Sequence, residues 1–90
     1  MALRQFSKDI PAGESVEYNI PTFYSPITIA LIPGSGGTLT MTYKLVDDSE
    51  WVEIDDGPAS SRSEIVLDYP LTWLKFTAAT EDARVELVHV

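Results

Sequence analysis

Apolar and polar residues alternate without a break over residues 38–45. One set of alternate positions carries Leu39, Met41, Tyr43 and Leu45, and the other carries three threonines and a lysine. Side chains of a β-strand point to opposite faces in turn, so this pattern predicts an antiparallel strand with one buried face and one wet face. All four large apolar side chains are expected to point into the core.

Short segments of the same kind recur along the chain and are separated by clusters of Gly, Pro, Asp and Ser. Further strands are predicted at residues 15–20, 27–32, 51–54, 64–68, 72–78 and 83–90. No segment of ten or more residues sustains the spacing of an amphipathic helix. The pattern predicts an all-β fold, an antiparallel β-sandwich or jelly roll of seven to eight short strands. Residues 1–90 form one domain, with residues 1–9 as an arm or an edge strand.

The nearly continuous apolar run Ile27–Ile32 predicts a central strand that is covered on both faces or packed against a neighbouring subunit. The glycine-rich segment 33–37 follows it and leads directly into the Leu39 strand. Glycines permit the backbone conformations of tight connections. We therefore expect these two strands to form a hairpin.

The two tryptophans are the most informative candidates for a binding role. In the segment 72–78, Leu74, Phe76 and Ala78 share one face, which places Trp73 on the other. An outward tryptophan lies under a loop of its own chain, in a protein interface, or in a sugar-stacking platform. Trp51, on the predicted strand after the acidic turn at Asp47, is a candidate for a partner contact or for sugar stacking.

Charge narrows the set of partners. The chain has 14 acidic and 6 basic residues and a formal net charge of −8. Phosphate backbones and anionic lipids are bound through Lys and Arg, so nucleic acid and membrane are not expected partners. Early charges at Arg4 and Lys8 interrupt any apolar signal-peptide core, and we expect a soluble protein made in the cytoplasm.

Candidate catalytic groups are few. His89 is the single histidine, there is no cysteine, and no serine lies in a G-x-S-x-G elbow. We expect His89 to be a partly exposed strand residue. The acidic residues around Trp51 lack the spacing of a calcium loop and are typical of solvated turns. The chain is therefore predicted to be neither an enzyme nor a metal or cofactor binder.

Three segments resemble small bacteriophage virion proteins of the capsid decoration, or cement, type. They are the entry turn at 10–15, the strand and tryptophan of 44–54 followed by Asp56 and Gly57, and the segment 70–78 before the last strand. The resemblance covers residues 10–90, and Lys75 stands where that family usually has Arg. It implies a non-enzymatic structural role in the virion, homo-oligomers, and an arm or edge strand that reaches a capsid protein.

The resulting expectation is a phage structural protein that binds the capsid or another virion protein and stabilises the particle. The expected partner or oligomer contacts are Leu3, Phe6, Trp51 and Trp73, with the arm formed by residues 1–6. The alternative is a carbohydrate-binding β-sandwich module of a tail or cell-surface assembly. In that case Trp51, Trp73 or Tyr43 would stack on sugars.

Overall fold

The computed structural model describes residues 4–19, 26–54, 57–68 and 73–89, and every regular element within these ranges is a β-strand. The strands are β1 (Arg4–Ile10), β2 (Ser15–Asn19), β3 (Ile27–Ile32), β4 (Leu39–Lys44), β5 (Val52–Glu53), β6 (Ser63–Leu67), β7 (Trp73–Ala78) and β8 (Ala83–His89). The predicted all-β class is confirmed.

The strands form two antiparallel sheets of four strands each. The first sheet has the order β1-β8-β3-β6 and the second has the order β2-β7-β4-β5. The pairing is nested along the chain, because β1 pairs with β8, β2 with β7, β3 with β6 and β4 with β5. A long hairpin folded over into two layers has this connectivity, and the two antiparallel sheets confirm the predicted antiparallel sandwich.

The core lies between the two sheets and is formed by every second side chain of the strands. Burial alternates along β7 and β8, where every second residue is buried. The fully buried side chains include Ile10, Ile27, Ile29, Leu31, Leu39, Met41, Leu74, Phe76 and Val85. Since each sheet contributes one apolar face, burial of these side chains is the main force that holds the layers together.

The prediction that Leu45 faces the core is wrong. Strand β4 ends at Lys44, and the side chain of Leu45 is 67% exposed. The chain turns immediately after the strand, where Lys44 Nζ donates a hydrogen bond to the carbonyl oxygen of Asp47 and the amide of Ser49 donates to the carbonyl of Val46. Because the chain turns here, Leu45 is no longer part of the strand, and its side chain does not follow the inward and outward alternation of β4.

The expected hairpin between the strands at 27–32 and 39–44 is also wrong. Strand β3 lies in the first sheet and β4 in the second, so the glycine-rich segment crosses between layers. The crossing segment packs against the connection between β7 and β8. A Cβ atom built on Gly34 would overlap the carbonyl oxygen of Asp82, and one built on Gly37 would lie 2.7 Å from the Cβ of Glu81. The glycines therefore allow close packing between two connections.

The described part of the predicted N-terminal arm is paired. Strand β1 is an edge strand of the first sheet, and Arg4 already lies opposite His89 of β8. The ring of Phe6 packs against the core, with its centroid 4.5 Å from that of Tyr18. Met1, Ala2 and Leu3, and with them the predicted contact at Leu3, lie outside the described residues.

His89 is buried, with 3% of its surface exposed, so the expectation of a partly exposed histidine is wrong. Strand β8 is a central strand between β1 and β3, and the inward face of its last residue meets the second sheet. There the hydroxyl of Tyr18 and Nε2 of His89 form a hydrogen bond of 2.9 Å. This bond connects β2 of one sheet to β8 of the other.

Candidate interaction surface

The outer face of the second sheet brings both tryptophans together. In the pairing of β4 with β7, Lys44 lies opposite Trp73 and Thr42 lies opposite Lys75. Tyr43 pairs with Val52 of β5, so Trp51, one residue earlier, flanks Lys44 on its other side. Strand pairing thus places one lysine between two indoles that are 22 residues apart in the sequence.

Both lysines lie over indole rings. Nζ of Lys44 is 4.8 Å from the ring centroid of Trp51 and 5.0 Å from that of Trp73, and Nζ of Lys75 is 4.9 Å from that of Trp51. These distances are within the range of cation–π attraction, about 6 Å. We call the four residues Lys44, Trp51, Trp73 and Lys75 the Trp–Lys cluster.

The two lysines have different surroundings. The side chain of Lys44 is only 12% exposed and lies 2.8 Å from the Asp47 carbonyl oxygen and 3.9 Å from the Asp47 carboxylate. The ammonium of Lys75 makes no ion pair or hydrogen bond in the described part of the chain, although Glu17 stands opposite Lys75 on β2. Lys44 therefore holds the β4–β5 hairpin and the two indole rings in place. The N–H donors of the Lys75 ammonium are available to an acceptor on another molecule.

Exposed apolar side chains follow the cluster in the sequence, at the β4–β5 hairpin. Leu45 and Val46 are 67% and 53% exposed, and they directly follow Lys44. Asp47 and Asp48, both exposed, come next in the same hairpin. An apolar and aromatic centre with a charged rim is the composition of many protein interfaces. We call the cluster together with Leu45 and Val46 the Trp–Lys surface.

The structure places the predicted contact residues in two different regions. Trp73 lies on the outer face of β7, as the alternation predicts, and Trp51 lies beside it. Phe6 lies elsewhere, on the inward face of β1 against Tyr18. The surface also contains Lys44, Lys75, Leu45 and Val46, which their own sequence segments do not indicate as contact residues. The two lysines meet the two indoles through strand register, which no single segment of sequence contains.

The opposite outer face, on the first sheet, carries a shallow groove of about 500 Å³. Its floor is Ala30, whose small side chain lies between Glu64 and Glu86 on the neighbouring strands. Arg84 bonds to Glu86 at 2.9 Å and to Asp9 at 2.8 Å, and these contacts raise the pKa of its guanidinium above the ordinary value. The charged groups of this groove are thus paired within the chain, since Arg62 holds Glu64.

Neither metal chemistry nor a membrane span is indicated within the described ranges. No group of three His, Cys, Asp or Glu side chains is placed to hold a metal ion there. The same residues contain no helix of the length and apolarity needed to cross a bilayer.

No protein-family model, no curated protein and no solved structure matches this chain, so its function is inferred from the surface described above and from the resemblance in its sequence.

Proposed function

We propose that this chain is a non-enzymatic structural protein of a bacteriophage particle, which binds the capsid surface and stabilises the assembled shell. The virion context comes from the resemblance of its sequence segments to decoration proteins. The observation that supports a binding role is the Trp–Lys surface, where two indoles and two lysines lie together and exposed Leu45 and Val46 follow Lys44 in the sequence.

The chemistry of the surface indicates the chemistry of the partner. The indoles and the hairpin leucine and valine bury best against apolar side chains. The ammonium of Lys75 pairs best with a carboxylate, because it has no ion pair within the described chain. We therefore propose a protein partner with an apolar patch next to an acidic residue.

Stabilisation of the particle follows from mass action. A protein that binds only the assembled shell shifts the equilibrium towards that shell, by about 2.7 kcal/mol per site when its free concentration is a hundred times the dissociation constant. Many copies bound to one particle add their contributions. Weak individual binding is thus sufficient for this role.

The carbohydrate-binding alternative uses the same tryptophans, but the geometry favours it less. Stacking a sugar requires an open indole face, and each indole of the cluster already has a lysine ammonium over its ring at 4.8–5.0 Å. An ammonium in that position leaves less ring surface for a pyranose.

The experiment is re-addition of the purified chain to phage particles that were assembled without it. Binding is measured by co-sedimentation with the particles, and stabilisation by the temperature at which the particles open. We expect the native chain to bind and to raise that temperature. The double variant Trp73→Ala, Lys75→Ala is expected to bind at least about tenfold more weakly, because hot-spot residues of interfaces cost roughly 2 kcal/mol or more when truncated.

Lys8→Ala is the matched control, since it removes one positive charge from an exposed position of β1 outside the surface. It is expected to bind as the native chain does. Failure of the native chain to bind particles contradicts the proposal, and equal binding by all three proteins contradicts the assignment of the surface. Saturable binding to a glycan array without binding to particles supports the carbohydrate alternative instead.

A further inference from the structure

Strand β6 is an edge of the first sheet with an open side. It pairs with β3 on one side, and no backbone hydrogen bond joins its other side to any residue that the structure describes. Its outward-facing Val66 is 61% exposed. An unpaired edge with exposed apolar side chains is suited to pairing with another strand.

The other three edges are less suited to pairing. Strand β1 carries Arg4 and Lys8 on its inward side, and inward charges on an edge oppose the addition of a strand. Strand β5 has only two residues. Strand β2 has Glu17 at its centre, which would meet its own copy in a centred antiparallel pair. Strand β6 has five residues and no inward charge.

Opposite charges stand at the two ends of β6. Arg62 comes one residue before the strand and Asp68 one residue after it, and each is three positions from Ile65. In an antiparallel pair of identical strands centred on Ile65, residue 62 of one copy lies opposite residue 68 of the other. Each dimer would therefore contain two Arg62–Asp68 pairs across the strands.

We propose that two copies of this chain join through β6 into a homodimer with a continuous eight-stranded first sheet. The occupant of the open edge is the β6 of a second copy, in antiparallel register about Ile65. Asp68 forms no ion pair or hydrogen bond with the described residues of its own chain, so its carboxylate is available. Arg62 already bonds to Glu64 at 3.1 Å, and its guanidinium has further donors for Asp68 of the second copy.

Charge also selects this register over its neighbours. When the twofold axis is perpendicular to the sheet, the outward residues of both copies lie on the same face. The registers that keep this arrangement are centred on a residue of β6, and the two nearest alternatives to Ile65 are centred on Glu64 and Val66. Centring on Glu64 places Glu64 opposite its own copy, and centring on Val66 places Glu64 opposite Asp68. Both alternatives oppose like charges, which is unfavourable in cross-strand pairs. Of these three central registers, only the one centred on Ile65 opposes unlike charges.

The dimer has a consequence for binding, which rests on the proposed function. The twofold axis perpendicular to the sheets leaves the second sheets of both copies on one side of the dimer. Both Trp–Lys surfaces then face in the same direction. A dimer with this geometry engages two sites of a repetitive surface at once, which raises its apparent affinity well above that of one site.

The experiment measures the mass of the purified chain by sedimentation equilibrium over a wide range of concentrations. We expect a reversible monomer–dimer equilibrium for the native chain. Arg62→Glu places like charges at both cross-strand pairs and is expected to raise the dimer dissociation constant by about tenfold or more, as is Asp68→Arg. The double variant Arg62→Glu, Asp68→Arg restores unlike charges and is expected to restore dimerisation.

Val66→Lys tests the edge independently of the end charges, because an exposed lysine on an edge strand opposes strand addition. It is expected to abolish the dimer, whereas Val52→Lys, at an exposed valine of β5, is expected to leave the dimer intact. A monomeric native chain at every concentration overturns the proposal. A dimer that withstands both single charge reversals overturns it as well. Neither result depends on particle binding, so failure of this proposal and failure of the proposed function are distinguishable.

Discussion

At the scale of single residues, the hydrogen bond between Tyr18 and His89 is the most specific connection between the two sheets. The apolar core holds the layers together by burial, which is not directional. A hydrogen bond of 2.9 Å between a tyrosine hydroxyl and a buried imidazole requires one relative position of β2 and β8. The pair therefore adds specificity to the packing of the layers.

Removal of that hydroxyl is expected to destabilise the protein measurably. Tyr18→Phe deletes the bond to His89 and should lower the free energy of unfolding by about 1 kcal/mol, the usual net contribution of a hydrogen bond. Tyr43→Phe is the matched control, since Tyr43 also packs against the core but its hydroxyl forms no hydrogen bond with the described residues. Urea denaturation of both variants measures the difference. Equal stabilities would show that the bond contributes nothing.

At the scale of elements, the glycine-rich crossing between β3 and β4 determines which sheet the chain enters. Gly34 and Gly37 lie against the β7–β8 connection so closely that a Cβ atom would overlap Asp82 or Glu81. Gly36, in the same segment, has a φ of +80° and no atom within 4 Å of a built Cβ. The three glycines therefore serve two different physical needs, close approach and backbone conformation.

Gly34→Ala is expected to destabilise the protein more than Gly36→Ala. The second change places an L side chain in the left-handed region, at a cost of about 1 kcal/mol. Gly34→Ala places a methyl group against the backbone of Asp82 and pushes the two connections apart. This costs more free energy, since neither connection can move without moving the strand next to it. Thermal unfolding of both variants, observed by circular dichroism, measures the order. The reverse order would show that the two connections separate easily.

The same elements show what the sequence could predict. Alternation within 39–44 and 73–78 identified the strands and their buried faces, because the period of two is local information. The partner of each strand is not local. The 33–37 segment has the composition of a hairpin turn, but its contact with residues 81 and 82 makes it a crossing. Leu45 was misplaced because the strand ends one residue earlier, at a turn held by Lys44.

The candidate surface was predictable only in part, for the same reason. The outward position of Trp73 follows from its own strand, and the structure places it there. Its contact with Lys44, and the position of Trp51 next to that lysine, depend on the register of β4 with β7 and β5. Tryptophans can thus be recognised as candidates from the sequence. The lysines that lie over them require the fold.

At the scale of the whole molecule, the nested pairing makes most of the stabilising contacts distant in sequence. The outermost pair joins β1 to β8, and the innermost joins β4 to β5. Sandwiches dominated by such distant pairs fold slowly. The chain must lose the entropy of closing long loops before the stabilising contacts between the paired strands can form.

Refolding of this chain is therefore expected to take milliseconds to seconds, although it has only 90 residues. Stopped-flow dilution from denaturant measures the rate, with fluorescence of Trp51 and Trp73 as the signal of the second sheet. Completion within microseconds would contradict the expectation and would indicate that local contacts dominate the transition state.

Strand β8 lies between β1 and β3, and it is made after every other strand that the structure describes. On the ribosome, β1 and β3 emerge early and have no common partner until β8 leaves the exit tunnel. The faces of β1 and β3 that later pack in the core are thus without β8 throughout synthesis of the segments between them. A nascent chain of this protein is thus a candidate client for chaperones, and it completes its first sheet only after translation of that strand.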